Sequence, residues 1–172
     1  MKNVYFVNDH DGIENAVMDI NGKQYRVRSE VLILDNSNRV YVVNCNKMNQ
    51  YDRMYKIPGG SITSDNSIIN TAINESKEEC RFLIKDVMYT NIKYINEYKY
   101  IPEWHKRILW PIGLKYSGSI TFVCVARLCG HYDGYIKIND MEEEMLKGVF
   151  TNYSGLTKLH REAINRYLSY DL

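Results

Sequence analysis

The sequence predicts an α/β fold, a sheet flanked by helices on both sides. Three observations carry that expectation: runs of strand length separated by turn residues, an amphipathic stripe in mid-chain, and a second stripe near the end. The 172 residues, 45% hydrophobic and 25% charged, suit one globular domain spanning 1–172. No repeat, low-complexity tract or Pro/Gly/Ser linker divides the chain.

Val4 to Val7 is a first short strand. Asn21-Gly22 is a turn signal, and Gln24 to Leu34 after it is rich in Tyr, Val, Leu and Ile. Asp35-Asn36-Ser37-Asn38 turns that run into Arg39 to Val43, a hairpin of largely apolar strands. Tyr51 to Ile57 leads into Pro58-Gly59-Gly60. Ser64, Asp65, Asn66 and Ser67 are all N-cap residue types, and any of the four can start the helix that follows. At 100° per residue, Ile68, Ile69, Ala72, Ile73, Ser76, Cys80 and Leu83 form its apolar stripe, with Asn70, Asn74, Lys77 and Arg81 opposite. Ile92, Tyr94, Tyr98 and Tyr100 mostly alternate with polar residues, as in a half-buried strand, and Ile120 to Leu128 is a near-continuous apolar strand. Tyr135 to Ile138 is a candidate last strand. Leu156, Leu159, Ala163, Tyr167 and Leu168 give a C-terminal helix that covers one sheet face.

Composition narrows the function classes. A formal net charge of +1 argues against a dedicated nucleic-acid coat protein. The four cysteines form no CxxC pair, which argues against zinc and for reduced, mostly buried thiols in a cytoplasmic protein. No apolar run approaches a membrane span.

The most informative stretch is Tyr55-Lys56-Ile57-Pro58-Gly59-Gly60, with Glu75, Glu78 and Glu79 starting fifteen residues later. Residues three and four apart share a helix face, so Glu75 meets both later carboxylates. Like charges there cost roughly 0.2–0.5 kcal/mol per pair in solvent, and more where the site is dry. A hard divalent cation with oxygen ligands relieves that cost. Glu75 and Glu79 flank the apolar stripe and Glu78 lies just beyond, at the seam where a cleft wall would run. The competing reading is a solvated helix face with Glu78 paired to Arg81.

Two further groups are candidate substrate contacts. Trp104, His105, Lys106 and Arg107 combine stacking surface with cations, suited to a base and phosphates, against the plainer reading of an exposed loop with tucked tryptophans. Tyr94 and Tyr98, with Tyr100, could line a nucleoside cleft or simply pack the sheet. His160 is assigned a structural role.

The segment from Gly60 to Phe82 resembles the signature of the Nudix hydrolases, GX5EX7REUXEEXGU, and the Tyr-Lys-Ile-Pro-Gly-Gly approach resembles the family's aromatic-x-aliphatic-PGG lead-in. The resemblance implies an α/β/α sandwich around a mixed sheet, and a pyrophosphohydrolase acting on a nucleoside diphosphate linked to another moiety. It implies Mg²⁺ or Mn²⁺ held by Glu75, Glu78, Glu79 and the Gly59 carbonyl. It further implies a late acidic residue, with Glu143 chosen among Glu142, Glu143 and Glu144, as base or outer ligand; an acidic helix start is the alternative. The partner it implies is a nucleotide-type small molecule; an RNA end and a homodimer stay open. The chain departs from the signature at Asn66 for Glu, Asn74 for Arg, Ser76 for an aliphatic residue and Arg81 for Gly. The first two replace an ion pair by two amides, which can hydrogen-bond and hold the same loop. Arg81 enters a left-handed conformation less cheaply than Gly, so a reshaped helix end is expected. These departures favour the alternative function, a catalytically degenerate domain that binds a nucleotide or a protein.

Overall fold

A computed structural model describes residues 3–8, 12–44, 55–97, 116–136 and 145–170. Among them nine strands and two longer helices follow in the order β1 (Val4–Asn8), β2 (Glu14–Ile20), β3 (Lys23–Leu34), β4 (Val40–Asn44), β5 (Tyr55–Lys56), β6 (Gly59–Ser61), α1 (Ile68–Cys80), β7 (Phe82–Glu97), β8 (Gly118–His131), β9 (Val149–Thr151) and α2 (Lys158–Tyr170).

The sheet is mixed. β3 is its spine: it runs parallel to β8 from Tyr25↔Gly118 to Leu34↔Arg127. Along its other edge it pairs antiparallel with β2, then β6, then β4. Strand β7 closes the far side against β8. Because residues in register share a face, odd positions of β3 and even positions of β8 point to one side. There Val31, Ile33, Cys124 and Ala126 meet Ala72 and Cys80 of α1. On the opposite side Leu32, Leu34, Val123 and Val125 meet Ala163, Ile164 and Tyr167 of α2. The α/β/α sandwich is therefore present, with one helix on each face among the described residues.

Several boundaries differ from the sequence reading. β2 and β9 carry no strong alternation and were not anticipated. β7 begins ten residues before Ile92 because it is bulged: its register against β8 shifts at Leu83/Ile84, Lys85/Met88 and Tyr89/Ile92. Each shift turns side chains to the other face and erases a period of two. Asp86 and Asn91 sit at these irregularities with φ of 52° and 61°, in the left-handed region that short polar side chains tolerate best. Tyr135 and Ile136 are not in a strand, and the rest of that candidate lies outside the described residues.

Helix α1 starts at Ser67, one of the four candidate caps, whose side chain accepts the Asn70 N–H. Ser76, at an aliphatic position of the stripe, is fully buried and satisfies its hydroxyl on the carbonyls of Ile73 and Phe82. The expected reshaping of the helix end does not occur. Arg81 adopts φ 56° and ψ 34° and closes the helix by donating its N–H to Lys77. The strain, about 1–2 kcal/mol for a residue with a β-carbon, is met by the Tyr132 N–H on the Arg81 carbonyl and by Arg81 Nη1 on the Gly134 carbonyl.

Candidate functional site

The two glycines of the Pro-Gly-Gly stretch are in a strand. Gly59 and Gly60 belong to β6, paired with Glu30 and Ser29, and neither has a positive φ. Their lack of a side chain is a matter of space. A β-carbon on Gly59 would lie 2.6 Å from the Ser29 carbonyl oxygen and 2.8 Å from Glu30 Cβ. One on Gly60 would lie 2.0 Å from Glu75 Oε1. Glu75 thus occupies the hollow that the missing side chain leaves.

Glu79, one helical turn further on, accepts the Gly59 N–H through Oε2 at 3.1 Å. That N–H lies on the edge of the short strand away from β3, where no ladder partner satisfies it. Two carboxylates from successive turns of α1 therefore converge on two consecutive glycines. Glu78 is exposed on the helix. Among the described residues no three His, Cys, Asp or Glu side chains stand close enough to share an ion. The donors at the loop are hard oxygens, the kind that magnesium and manganese take, and the Gly60 hollow is shaped to admit one of them. In kind they fit such an ion. The Gly59 carbonyl accepts from Arg28 Nη2 at 3.3 Å, which engages one of that oxygen's two lone pairs.

Two of the four signature departures, Asn66 and Asn74, come together. Asn74 Nδ2 lies 3.5 Å from Asn66 Oδ1, the outer reach of a hydrogen bond, and Asn66 Nδ2 donates to Thr63 Oγ1 at 3.2 Å. A chain of neutral amides ties α1 to the loop before it.

Tyr94 stands on the α2 side of the sheet, its ring edge-on to His160 at 5.6 Å between centroids. Tyr98, Trp104, Lys106, Arg107 and Glu143 lie outside the described residues, as do Glu142 and Glu144.

Sequence reasoning missed three residues beside the loop. Glu30, 5% exposed, meets His160 Nε2 through Oε1, and His160 Nδ1 is 2.8 Å from Thr157 Oγ1. This chain of bonds fastens the start of α2 to β3 at the residue that pairs with Gly59. Arg26 and Arg28 project from the same strand, on Ser61 Oγ and the Gly59 carbonyl. The signal was there: Arg26, Arg28 and Glu30 place charge at every second position of the strand, which puts all three on one face.

Burial sets the chemistry of the thiols. It pushes Cys80 far above the ordinary thiol value, helped by the nearby Glu79 and Glu75 charges, and Cys124 to about 11. Both are packing residues, and Cys129 is exposed.

Neither a family model nor a curated protein sequence matches the chain. Solved structures do. The chain is similar to a MutT protein from Methanosarcina mazei Go1, with 14% identity, 89% of this chain and 99% of that one covered, and a TM-score of 0.50. It is similar also to the dihydroneopterin triphosphate pyrophosphohydrolase of E. coli, with 14% identity, 84% and 95% covered, and a TM-score of 0.52. A NUDIX hydrolase from Nitrosomonas europaea superposes with a TM-score of 0.49 at 14% identity, over 85% of this chain and 90% of that one. The fold of this chain is the Nudix fold, as the signature-like segment implied.

Proposed function

We propose that the chain is a metal-dependent pyrophosphohydrolase that cleaves a nucleoside diphosphate linked to another moiety. The observation that carries this reading is the convergence of Glu75 and Glu79 on Gly59 and Gly60. Sharing a fold with a protein named for cleaving a triphosphate supports the reaction class. Bound Mg²⁺ or Mn²⁺ would supply neutralisation of the diphosphate charge and activation of water. The chain's part is positional. Glu79 is aimed by the Gly59 N–H and Glu75 is seated over Gly60, and with Glu78, exposed on the same helix, they would hold the ion. Arg28, held on the Gly59 carbonyl, would offer its charge to the substrate. Glu143 is the proposed base for the attacking water. A single cytoplasmic domain completes the reading: Cys80, Cys124 and Cys129 are free thiols, and no helix among the described residues is long and apolar enough to cross a membrane.

The test is Glu79→Gln, which keeps an acceptor for the Gly59 N–H and removes the charge. Phosphate-product release from a panel of nucleoside diphosphate derivatives with Mg²⁺ or Mn²⁺ should fall roughly 100-fold or more, with the melting temperature unchanged. A near-normal rate would take this carboxylate out of the mechanism.

A second reading is a nucleotide binder that does not cleave. The engaged Gly59 carbonyl and the absence of a preassembled group of three acids among the described residues favour it. Thermal stabilisation by the same panel without any product would establish it.

A further inference from the structure

Arg26 and Arg28 are both half-buried, and neither meets a carboxylate among the described residues. Their hydrogen bonds are to neutral oxygens, Ser61 Oγ for Arg26 and the Gly59 carbonyl for Arg28. A guanidinium taken partly out of water with no opposite charge is costly to keep, and costlier in pairs. The register shows what surrounds them. Arg28 lies opposite Ser61 on one side and Thr121 on the other, and Thr121 lies opposite Tyr94. One step along the same face, Arg26 lies opposite Ser119, and Ser119 opposite Asn96. Two adjacent rungs of the sheet are therefore polar on the face whose other end α2 covers with aliphatic side chains.

Polar side chains in such a place normally satisfy each other, and here two do not. Thr121 is 1% exposed, and its hydroxyl makes no hydrogen bond among the described residues. The same holds for the buried Nδ2 of Asn96. Two cations without anions and two buried donors without acceptors share one patch, and both deficits are met by a ligand rich in anionic oxygen. Arg28 stands at the glycines that Glu75 and Glu79 flank, and Arg26 stands about 7 Å further along the strand. Guanidinium groups suit phosphate because their planar fork matches two of its oxygens.

We propose that this patch is a phosphate-chain subsite: Arg28 takes the diphosphate nearest the loop, Arg26 takes a further phosphate, and Thr121 and Asn96 donate to its oxygens. The ligand class is thus a phosphate ester with three or more phosphates in a chain, as distinct from a diphosphate joining two uncharged groups. The naming of that class rests on the loop being a diphosphate site; the binding of the anion does not require cleavage.

Calorimetric titration in EDTA-containing buffer separates the two. Tripolyphosphate should bind the intact chain roughly tenfold tighter than pyrophosphate, the order of one added charge-assisted contact. Arg26→Gln should bring that ratio to about one while pyrophosphate binding persists, and Arg28→Gln should weaken both probes. Thr121→Val should weaken tripolyphosphate roughly three- to tenfold yet raise the melting temperature, because it removes a buried hydroxyl that has no acceptor. That opposite movement distinguishes a ligand contact from a structural one. Competition by ATP or by a 5′-triphosphorylated oligonucleotide identifies the source of the chain, and competition by neither overturns the subsite. Equal affinity of the intact chain for the two probes, no binding of either, or an unchanged ratio in a folded Arg26→Gln also overturns it. Loss of this binding with metal-dependent turnover intact removes the subsite alone. Binding retained by a protein that never turns over removes the hydrolase alone.

Discussion

Alanine at each of the two glycines should have opposite consequences, although the positions are adjacent. At Gly59 the new β-carbon meets Ser29 O at 2.6 Å, Glu30 Cβ at 2.8 Å and Glu30 Cα at 2.9 Å. Two of those atoms are backbone of the central strand and the third is fixed to it, so the strands themselves must part. Overpacking of that kind costs ~1–3 kcal/mol. A chain of this size loses roughly 2–4 °C of melting temperature per kcal/mol, so Gly59→Ala should melt ~2–12 °C lower. At Gly60 all three near contacts are the carboxylate end of Glu75, at 2.0, 2.4 and 3.0 Å. A flexible side chain moves aside for about 0.5–1.5 kcal/mol, and the reduced freedom of the unfolded chain returns about 0.4–1 kcal/mol. Gly60→Ala should therefore melt within a few degrees of the parent, yet its Glu75 no longer stands over the loop. Uptake of Mn²⁺ by calorimetry should weaken roughly 10- to 100-fold, the scale on which displaced supporting groups act at metal sites. If Gly60→Ala bound Mn²⁺ as the parent does, or melted as low as Gly59→Ala, the placement of Glu75 in that hollow would be refuted.

His160→Phe keeps the bulk against Tyr94 but removes the hydrogen bond to the buried Glu30, and it should cost about 1.5–3 kcal/mol in chemical denaturation; an unchanged midpoint would show that α2 is held by its aliphatic contacts alone. Asp35 gives a pH signature. Burial alone pushes its carboxyl up, but the N–H groups of Arg39 and Ser37 and the Arg39 guanidinium together hold it below the ordinary value of 3.8. A depressed carboxyl stabilises the fold above its unfolded pKa and loses that contribution as pH falls through the lower folded value. The stability deficit of Asp35→Asn should thus be constant from roughly pH 5 to 8 and shrink below about pH 4; a deficit that grew on acidification would contradict the assignment.

The legible parts of the molecule were those encoded within a few residues of one another. Ser67 capping a stripe with Ala72, Ser76 and Cys80 on one side, and Glu75 with Glu79 four residues later at its edge, are consequences of helical pitch, so they could be read directly. The Pro-Gly-Gly approach was legible as a pattern but its cause was not: the glycines are required by the backbone of Glu30 and the carboxylate of Glu75, neither of which is a sequence neighbour. The bulges of β7 hid a long strand, because each extra residue resets which face the next side chain takes.

What the sequence settled by itself was local: a helix carrying acids, a glycine-rich lead-in, and enough alternating strands for a sheet between helices. Only the tertiary structure decided the register that sets Glu30 opposite Gly59 and Thr121 opposite Arg28, and the packing that brings His160 against a glutamate 130 residues away. A chain's own periodicity states which face a residue takes, whereas its opposite number depends on how distant strands slide against one another. That sliding is settled by packing on both sheet faces at once.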